Sequence, residues 1–177
     1  MSIRELTKEK HKEAENHKFS KLLMSGEISA SLYASYLFQM LQIYETLERL
    51  GTNLNLFLDI ECIKRYNKIE QDLNYFDNEH VVYSNQILPN TLSYKEYLNS
   101  IQNDSIKMLA HIYVRHVGDL FGGQMISQKI PGKGYMYQFD LPVKELIPMI
   151  KNKITDDLAE EANLAFDYNI SIFDNLI

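Results

Sequence analysis

The sequence lacks the features that characterise secreted and membrane proteins. Its single cysteine, Cys62, leaves no internal disulfide possible, and no run approaches the roughly 20 apolar residues that a membrane-spanning helix needs. The N-terminal stretch MSIRELTKEKHKEAENHK is charged throughout and has no apolar core like that of a signal peptide. We therefore expect a soluble, cytoplasmic protein without a membrane anchor.

Positive charge is also too scarce for a protein whose general partner is nucleic acid. The chain has 18 lysines and arginines against 24 aspartates and glutamates, which gives a formal net charge of −6. Phosphate backbones are bound through basic surfaces, so this balance argues against nucleic acid. The charge is uneven, because residues 4–21 are rich in lysine and histidine while acids concentrate at 156–161.

Proline and glycine are infrequent, and helical patterns dominate the chain. Residues 29–50 carry apolar side chains at a spacing of 3.6 residues: Leu32, Tyr36, Met40, Ile43 and Leu47. Ser2–Glu5 fits a capping box before a first helix, and further helices are predicted at about 60–76, 91–102, 104–129 and 142–176. Only residues 134–141 resemble a β-strand. With 177 residues and no linker, the sequence predicts a single all-α domain over residues 1–177.

Three of the seven glycines fall within six residues, in VRHVGDLFGGQM at 114–125. An interior glycine costs a helix about 0.5–1 kcal/mol relative to alanine, so the cluster calls for an explanation. Close packing of helices is one. The other is a flat ligand that lies against the backbone at Gly118 and Gly122, with Asp119 holding water beside it.

A second constellation lies on the predicted first helix. Arg4, Lys8, His11 and Glu15 share one helical face. Such a face is commonly just solvated. The competing interpretation is that His11 ligates a metal, that Glu15 orients its imidazole, and that the two cations hold an anionic group.

A third pattern, DNEH at 77–80, has the carboxylate-x-x-histidine spacing that di-iron proteins use. It has no second copy and lies in a loop-like, asparagine-rich stretch, so we do not favour a di-iron site.

Five segments together resemble the heme (haem) oxygenase family along nearly the whole chain. AHIYVRHVGDLFGGQ at 110–124 resembles that family's distal-helix motif, Gly-Asp-Leu-x-Gly-Gly-Gln, and LTKEKHKEAEN at 6–16 resembles its proximal-helix signature. LQIYETLE at 41–48, IEQDL at 69–73 and EEANLAF at 160–166 are similar to further segments of the family.

The resemblance implies an all-α fold in which heme lies between the first helix and the glycine-rich helix. It implies cleavage of heme, both cofactor and substrate, by O2 and electrons from ferredoxin or a reductase. The products would be biliverdin, carbon monoxide and ferrous iron. His11 would be the iron ligand and Asp119 the anchor of a water network that delivers protons. The other implied residues are Tyr44, Tyr97 and Arg115 beside Asp119; Gly118, Gly122 and Gly123 at the porphyrin; Arg4, Lys8, Tyr113 and Lys144 near the propionates; and Glu15 and Phe166 in the heme site.

Two positions depart from the family pattern. Pro148 stands where a second base is usual, so that Lys151 or Lys153 would have to replace it and the meso carbon attacked is left open. Phe121 stands where a small residue is usual. A heme carrier or sensor that does not turn over is the main alternative function, and a purely structural helical module is another.

Overall fold

The computed structural model describes residues 1–177 and contains only helices and connecting segments, so the all-α prediction is confirmed. The helices are α1 (Ile3–Leu6), α2 (Lys8–Asn16), α3 (Lys18–Ser25), α4 (Ala30–Asn53), α5 (Tyr66–Asn78), α6 (Pro89–Ser100), α7 (Ser105–Ile112), α8 (Gly118–Phe121), α9 (Gly123–Ile126), α10 (Val143–Lys151) and α11 (Ala159–Leu176). No helix combines the length and the apolar content that crossing a bilayer requires.

Helix α4 is the centre of the fold, as its apolar stripe predicts. The Ser29 hydroxyl accepts from the Leu32 amide at 3.1 Å and so caps the first turn. Met40, Ile43 and Leu47 are fully buried, because α5, α6 and α7 all pack against α4. The stripe read from the sequence is therefore the face that builds the core.

The first predicted helix is divided at Thr7 into α1 and α2. The predicted capping box is present at Ser2 and Glu5. The Ile3 amide donates to the Asp156 carboxylate at 2.8 Å, which ties α1 to the segment just before α11. Helix α2 packs along α11, so the N-terminal helices are held by the last helix.

The strand-like segment 134–141 is not a strand. Gly134 adopts a left-handed conformation with φ of 64°, and a short 3₁₀ turn follows at Tyr135–Tyr137. The Asp72 carboxylate accepts from the Tyr135 and Met136 amides at 2.9 and 2.8 Å. The buried Arg65 guanidinium donates to the carbonyls of Met136 and Gln138. Side chains thus satisfy the backbone groups that a neighbouring strand would otherwise have to pair.

The run predicted as one helix over 142–176 is interrupted. Helix α10 ends at Lys151, a 3₁₀ turn covers Asp156–Leu158, and α11 follows. Pro148 lies inside α10. The proline ring removes one backbone donor from the helix. The loss is tolerated because α10 has only nine residues and is exposed at Pro148.

The glycine helix, our name for residues 105–126, comprises α7, a π-helical turn at Tyr113–Val117, α8 and α9. Four consecutive residues of the turn are buried: Val114, Arg115, His116 and Val117. Val114 packs in the small cluster beside α11 and Val117 in the main core, so the turn is buried on more than one side. The π turn therefore brings Arg115 and His116 inward just before Gly118.

Candidate functional site

His11 lies on the exposed face of α2. Its side chain is 57% exposed, and its Nδ1 atom is 3.5 Å from the Glu15 carboxylate one turn later. The imidazole meets the Phe166 ring of α11 edge-on, with centroids 5.6 Å apart. Nε2 makes no hydrogen bond within the protein, so the ring is oriented on one side and free to ligate on the other.

The cations predicted near His11 are also exposed. Arg4 lies on α1 and Lys8 on the first turn of α2. Burial raises the pKa of Tyr113, while a hydrogen bond with Thr7 and the positive charge of Arg4 act in the opposite direction. The structure thus brings Tyr113 of the π turn close to Thr7 and Arg4, and Thr7 is a neighbour that the sequence did not reveal.

A second set of predicted cations lies on and after α10. Lys144 is exposed in the first turn and makes no ion pair. Lys153, considered as a replacement for the base missing at Pro148, instead pairs with Asp59 at 2.7 Å. Lys151 is exposed and unpaired, so of the two replacements it is the one that the structure leaves available.

The three glycines of the glycine helix have different surroundings. A Cβ atom added at Gly118 would meet nothing within 4 Å, and one at Gly122 would meet only the Gly118 carbonyl oxygen, at 3.2 Å. A Cβ at Gly123 would lie 2.2 Å from Cδ1 of the buried Tyr137. Gly118 therefore faces open space and Gly122 meets only the backbone of its own helix, whereas Gly123 is turned into the core, where close packing alone explains it.

Asp119, next to the open glycine, bonds to a buried tyrosine. The Tyr44 hydroxyl donates to the Asp119 carboxylate, and the Arg115 guanidinium lies 5.6 Å from the centre of the Tyr44 ring. Burial raises the pKa of Asp119, while the Tyr44 bond and the charge of Arg115 oppose that shift. Burial and the nearby Asp119 charge also raise the pKa of Tyr44 well above its usual value. The Asp119 carboxyl thus lies next to the open face at Gly118 and is held there by Tyr44.

Arg115 is itself fixed by residues that the sequence did not single out. Its guanidinium donates to the Asn169 side chain of α11 and points at the Met40 sulfur of α4. Asn169 lies eight residues after Glu161 on α11, so both share one helical face.

Tyr97 is not bonded to Asp119, the neighbour that the resemblance implied. Its hydroxyl donates to Glu161, and the same carboxylate oxygen is 2.9 Å from Nε2 of His111. Nδ1 of His111 is in turn 2.7 Å from the Tyr94 hydroxyl. Tyr97 therefore belongs to a separate, partly buried cluster between α6, α7 and α11.

The family model described as heme oxygenase matches residues 1–140. Among curated proteins, heme oxygenase 2 of Macaca fascicularis is 31% identical over 98% of this chain, which spans 64% of that relative's length. Heme oxygenase 1 of Rattus norvegicus is 30% identical over 99% of this chain and 70% of its own. The chain thus spans about two thirds of the length of these relatives.

Solved structures share the fold. Heme oxygenase from Leptospira interrogans superposes with a TM-score of 0.80 at 26% identity, covering 98% of both chains. Heme oxygenase-1 from Synechocystis, solved in complex with heme, gives a TM-score of 0.83 over 98% of this chain and 90% of its own. At 23% identity the latter bears on the fold alone. With the match over residues 1–140, the chain belongs to the heme oxygenase family.

Proposed function

We propose that this chain binds heme and cleaves it with O2 and electrons to biliverdin, carbon monoxide and ferrous iron. Ferredoxin or an NADPH-dependent reductase would supply the electrons. The observation that carries the proposal is the juxtaposition on the glycine helix. Gly118 faces open space, and the next residue, Asp119, is bonded to a buried tyrosine.

The residues present fit a flat, largely apolar ligand. Phe121 and Met125 are 53% and 64% exposed and lie on the same helical face as Gly118 and Gly122. Two large apolar side chains beside two bare stretches of backbone form a surface suited to an aromatic macrocycle. His11, whose Nε2 is free, supplies a nitrogen ligand, and Arg4 and Lys8 supply charges for carboxylates.

Each residue then has a distinct task. When bound, heme supplies the iron that activates O2 and the porphyrin carbon that is oxidised. His11 would hold the iron, with Glu15 and Phe166 fixing the plane of its imidazole. Arg4, Lys8 and Tyr113 would hold the propionates and so set the orientation of the ring.

Proton delivery is the task of the buried pair beside the glycines. The Asp119 carboxylate, held by Tyr44, would order water over the open face and pass protons through it. Gly118 and Gly122 carry no side chain that could donate a proton directly to the ligand. Protons would instead reach the ligand from Asp119 through the ordered water. Arg115, fixed by Asn169, stabilises the ionised carboxylate.

The test is an absorption experiment on purified protein. Heme is added first, then ascorbate or ferredoxin with its reductase in air, with a control that omits the reductant. We expect a Soret band that disappears as a biliverdin band grows, only when reductant is present. A Soret band that persists indicates a carrier or sensor, and the absence of any Soret band rejects heme binding.

A further inference from the structure

His116 is a buried histidine with no task in the function proposed above. It lies in the π turn, three residues before Asp119, and is fully buried. Its Nε2 is 2.9 Å from Oε1 of Glu48, and its Nδ1 has no hydrogen-bond partner. Since Glu48 accepts and Nδ1 has nothing to donate to, the proton of the neutral ring is on Nε2.

Glu48 holds His116 in one place because it is itself held from several sides. Its carboxylate also accepts from the Arg65 and Tyr66 amides, at the start of α5. A carboxylate with three donors has little freedom to rotate, so the imidazole is anchored to a rigid point. The anchor joins α4, α5 and the glycine helix.

The anchored ring in turn confines Tyr44. The two rings meet edge to face, with centroids 4.9 Å apart, and Phe57 closes the other side of the imidazole at 5.3 Å. Tyr44 is the residue whose hydroxyl bonds to Asp119. One chain of contacts therefore runs from Glu48 through His116 and Tyr44 to the Asp119 carboxylate.

We propose that His116 is a positioning residue for Asp119: anchored by Glu48, its ring holds Tyr44 in the place from which the hydroxyl bonds the carboxylate. The inference rests on the proposed function for its catalytic meaning, because Asp119 is the group that would manage protons there. It adds Glu48 and His116 to the machinery, behind the residues that face the ligand.

Electrostatics acts in the same direction as geometry. The Tyr44 hydrogen bond lowers the pKa of Asp119. Losing the anchored imidazole lets the Tyr44 ring move and so weakens this hydrogen bond, and the Asp119 carboxyl should then titrate at higher pH. Other groups acting on Asp119 are unchanged by such a substitution: Arg115 on the glycine helix, Arg65 before α5, Tyr33 and Tyr36 on α4, and Tyr137 in the 3₁₀ turn.

The test compares two substitutions, one that keeps an aromatic ring at position 116 and one that keeps a hydrogen-bond donor there. His116→Phe keeps a ring against Tyr44 but loses the bond to Glu48, whereas His116→Gln keeps a donor near the position of Nε2. The titration of the Asp119 carboxyl is followed by carbon-13 NMR in the heme-free protein. We expect its midpoint to move to higher pH in His116→Phe and less in His116→Gln. Glu48→Gln, which weakens the anchor while keeping the imidazole, should shift it in the same direction.

Turnover supplies a second measurement. His116→Phe should lower kcat by about tenfold, the scale seen when a residue that orients an active-site group is lost. The acidic limb of its pH profile should move to higher pH, with little change in heme affinity. Unchanged carboxyl titration and an unchanged pH profile in His116→Phe overturn the proposal, as does equal behaviour of His116→Phe and His116→Gln.

The two measurements also separate this proposal from the one on which it rests. If the wild-type protein does not degrade heme but the carboxyl titration shifts as expected, heme oxygenase activity is refuted and the positioning role of His116 stands. If His116→Phe fails to fold, the carboxyl titrations of His116→Gln and Glu48→Gln decide the matter, because unshifted midpoints in both refute the proposal.

Discussion

Alanine at Gly118 and alanine at Gly123 should have opposite effects on stability, although the two glycines lie only five positions apart on the glycine helix. Gly118 is exposed, has helical dihedrals, and an added Cβ meets nothing within 4 Å. Gly118→Ala should therefore gain the helix propensity of alanine, about 0.5–1 kcal/mol. In a chain of this size that corresponds to a rise in Tm of roughly 1–4 °C.

Gly123→Ala meets the Tyr137 ring instead. The overlap at 2.2 Å must be relieved by moving a ring that is only 3% exposed, in the core beside Gln124 and α5. Overpacking of this kind costs about 1–3 kcal/mol, which exceeds the gain in helix propensity. Thermal unfolding of the heme-free variants, followed by circular dichroism at the helical band, measures both signs.

The two variants should rank in the opposite order when heme affinity is measured instead of stability. The Cβ that is harmless at Gly118 in the heme-free protein would occupy the face on which the porphyrin is proposed to lie. We expect Gly118→Ala to weaken heme binding by about tenfold, or ~1.4 kcal/mol, measured by Soret titration. Gly123→Ala, where it remains folded, should bind heme nearly normally. A Gly118→Ala variant that is more stable and binds heme as tightly as the wild type would refute a close approach at this glycine.

Three further substitutions test individual assignments. His11→Ala should leave the exposed helix folded, remove the histidine-ligated heme spectrum and stop turnover. Added imidazole should partly restore activity. If His111→Ala loses that spectrum and His11→Ala does not, His11 is not the ligand. Lys8→Glu should change the biliverdin isomers or the heme orientation seen by proton NMR before it abolishes binding, and an unchanged pattern in both counts against the propionate role. Asp119→Ala should bind heme nearly normally yet yield no biliverdin, with Asp119→Asn retaining more activity; a wild-type yield from Asp119→Ala removes this carboxyl from the mechanism. Because burial raises the pKa of Asp119 above its unfolded value of 3.8, its ionised form destabilises the fold. Asp119→Asn should therefore unfold at higher urea than the wild type at pH 7, and this gain should decline as the pH falls through the folded pKa toward 3.8; no gain at pH 7 contradicts the shift.

Local patterns in the sequence sufficed for much of the fold. The stripe of α4 and the capping box at Ser2 depend on residues within a turn or two of one another, so they are visible without the structure. The division of 142–176 and the 3₁₀ turn at Tyr135–Tyr137 depend instead on distant partners, such as Asp72 beneath the turn. A periodicity argument cannot include a partner that lies 63 residues away.

The candidate site shows the same difference between features set by local sequence and features set by distant partners. Tyr44, Arg115 and Asp119 lie together as the resemblance implied, whereas Tyr97 bonds to Glu161 in a separate cluster. A motif preserves which residue types stand at which positions, but it does not state which polar groups will pair. Those pairs form between helices, and helix packing is the part that spacing along one helix leaves undetermined.

The bond between the Ile3 amide and Asp156 spans 153 positions of the chain, and it has a consequence for synthesis on the ribosome. At about 5–20 residues per second, α2 leaves the ribosome roughly ten to thirty seconds before α11, the helix on which it packs. During that interval His11 has no Phe166 beside it, and Arg115 has no Asn169. A nascent chain thus lacks part of the proposed heme surface, so under the proposed function heme would be captured after translation, and a ribosome-stalled chain that lacks α11 should not compete with the complete protein for free heme.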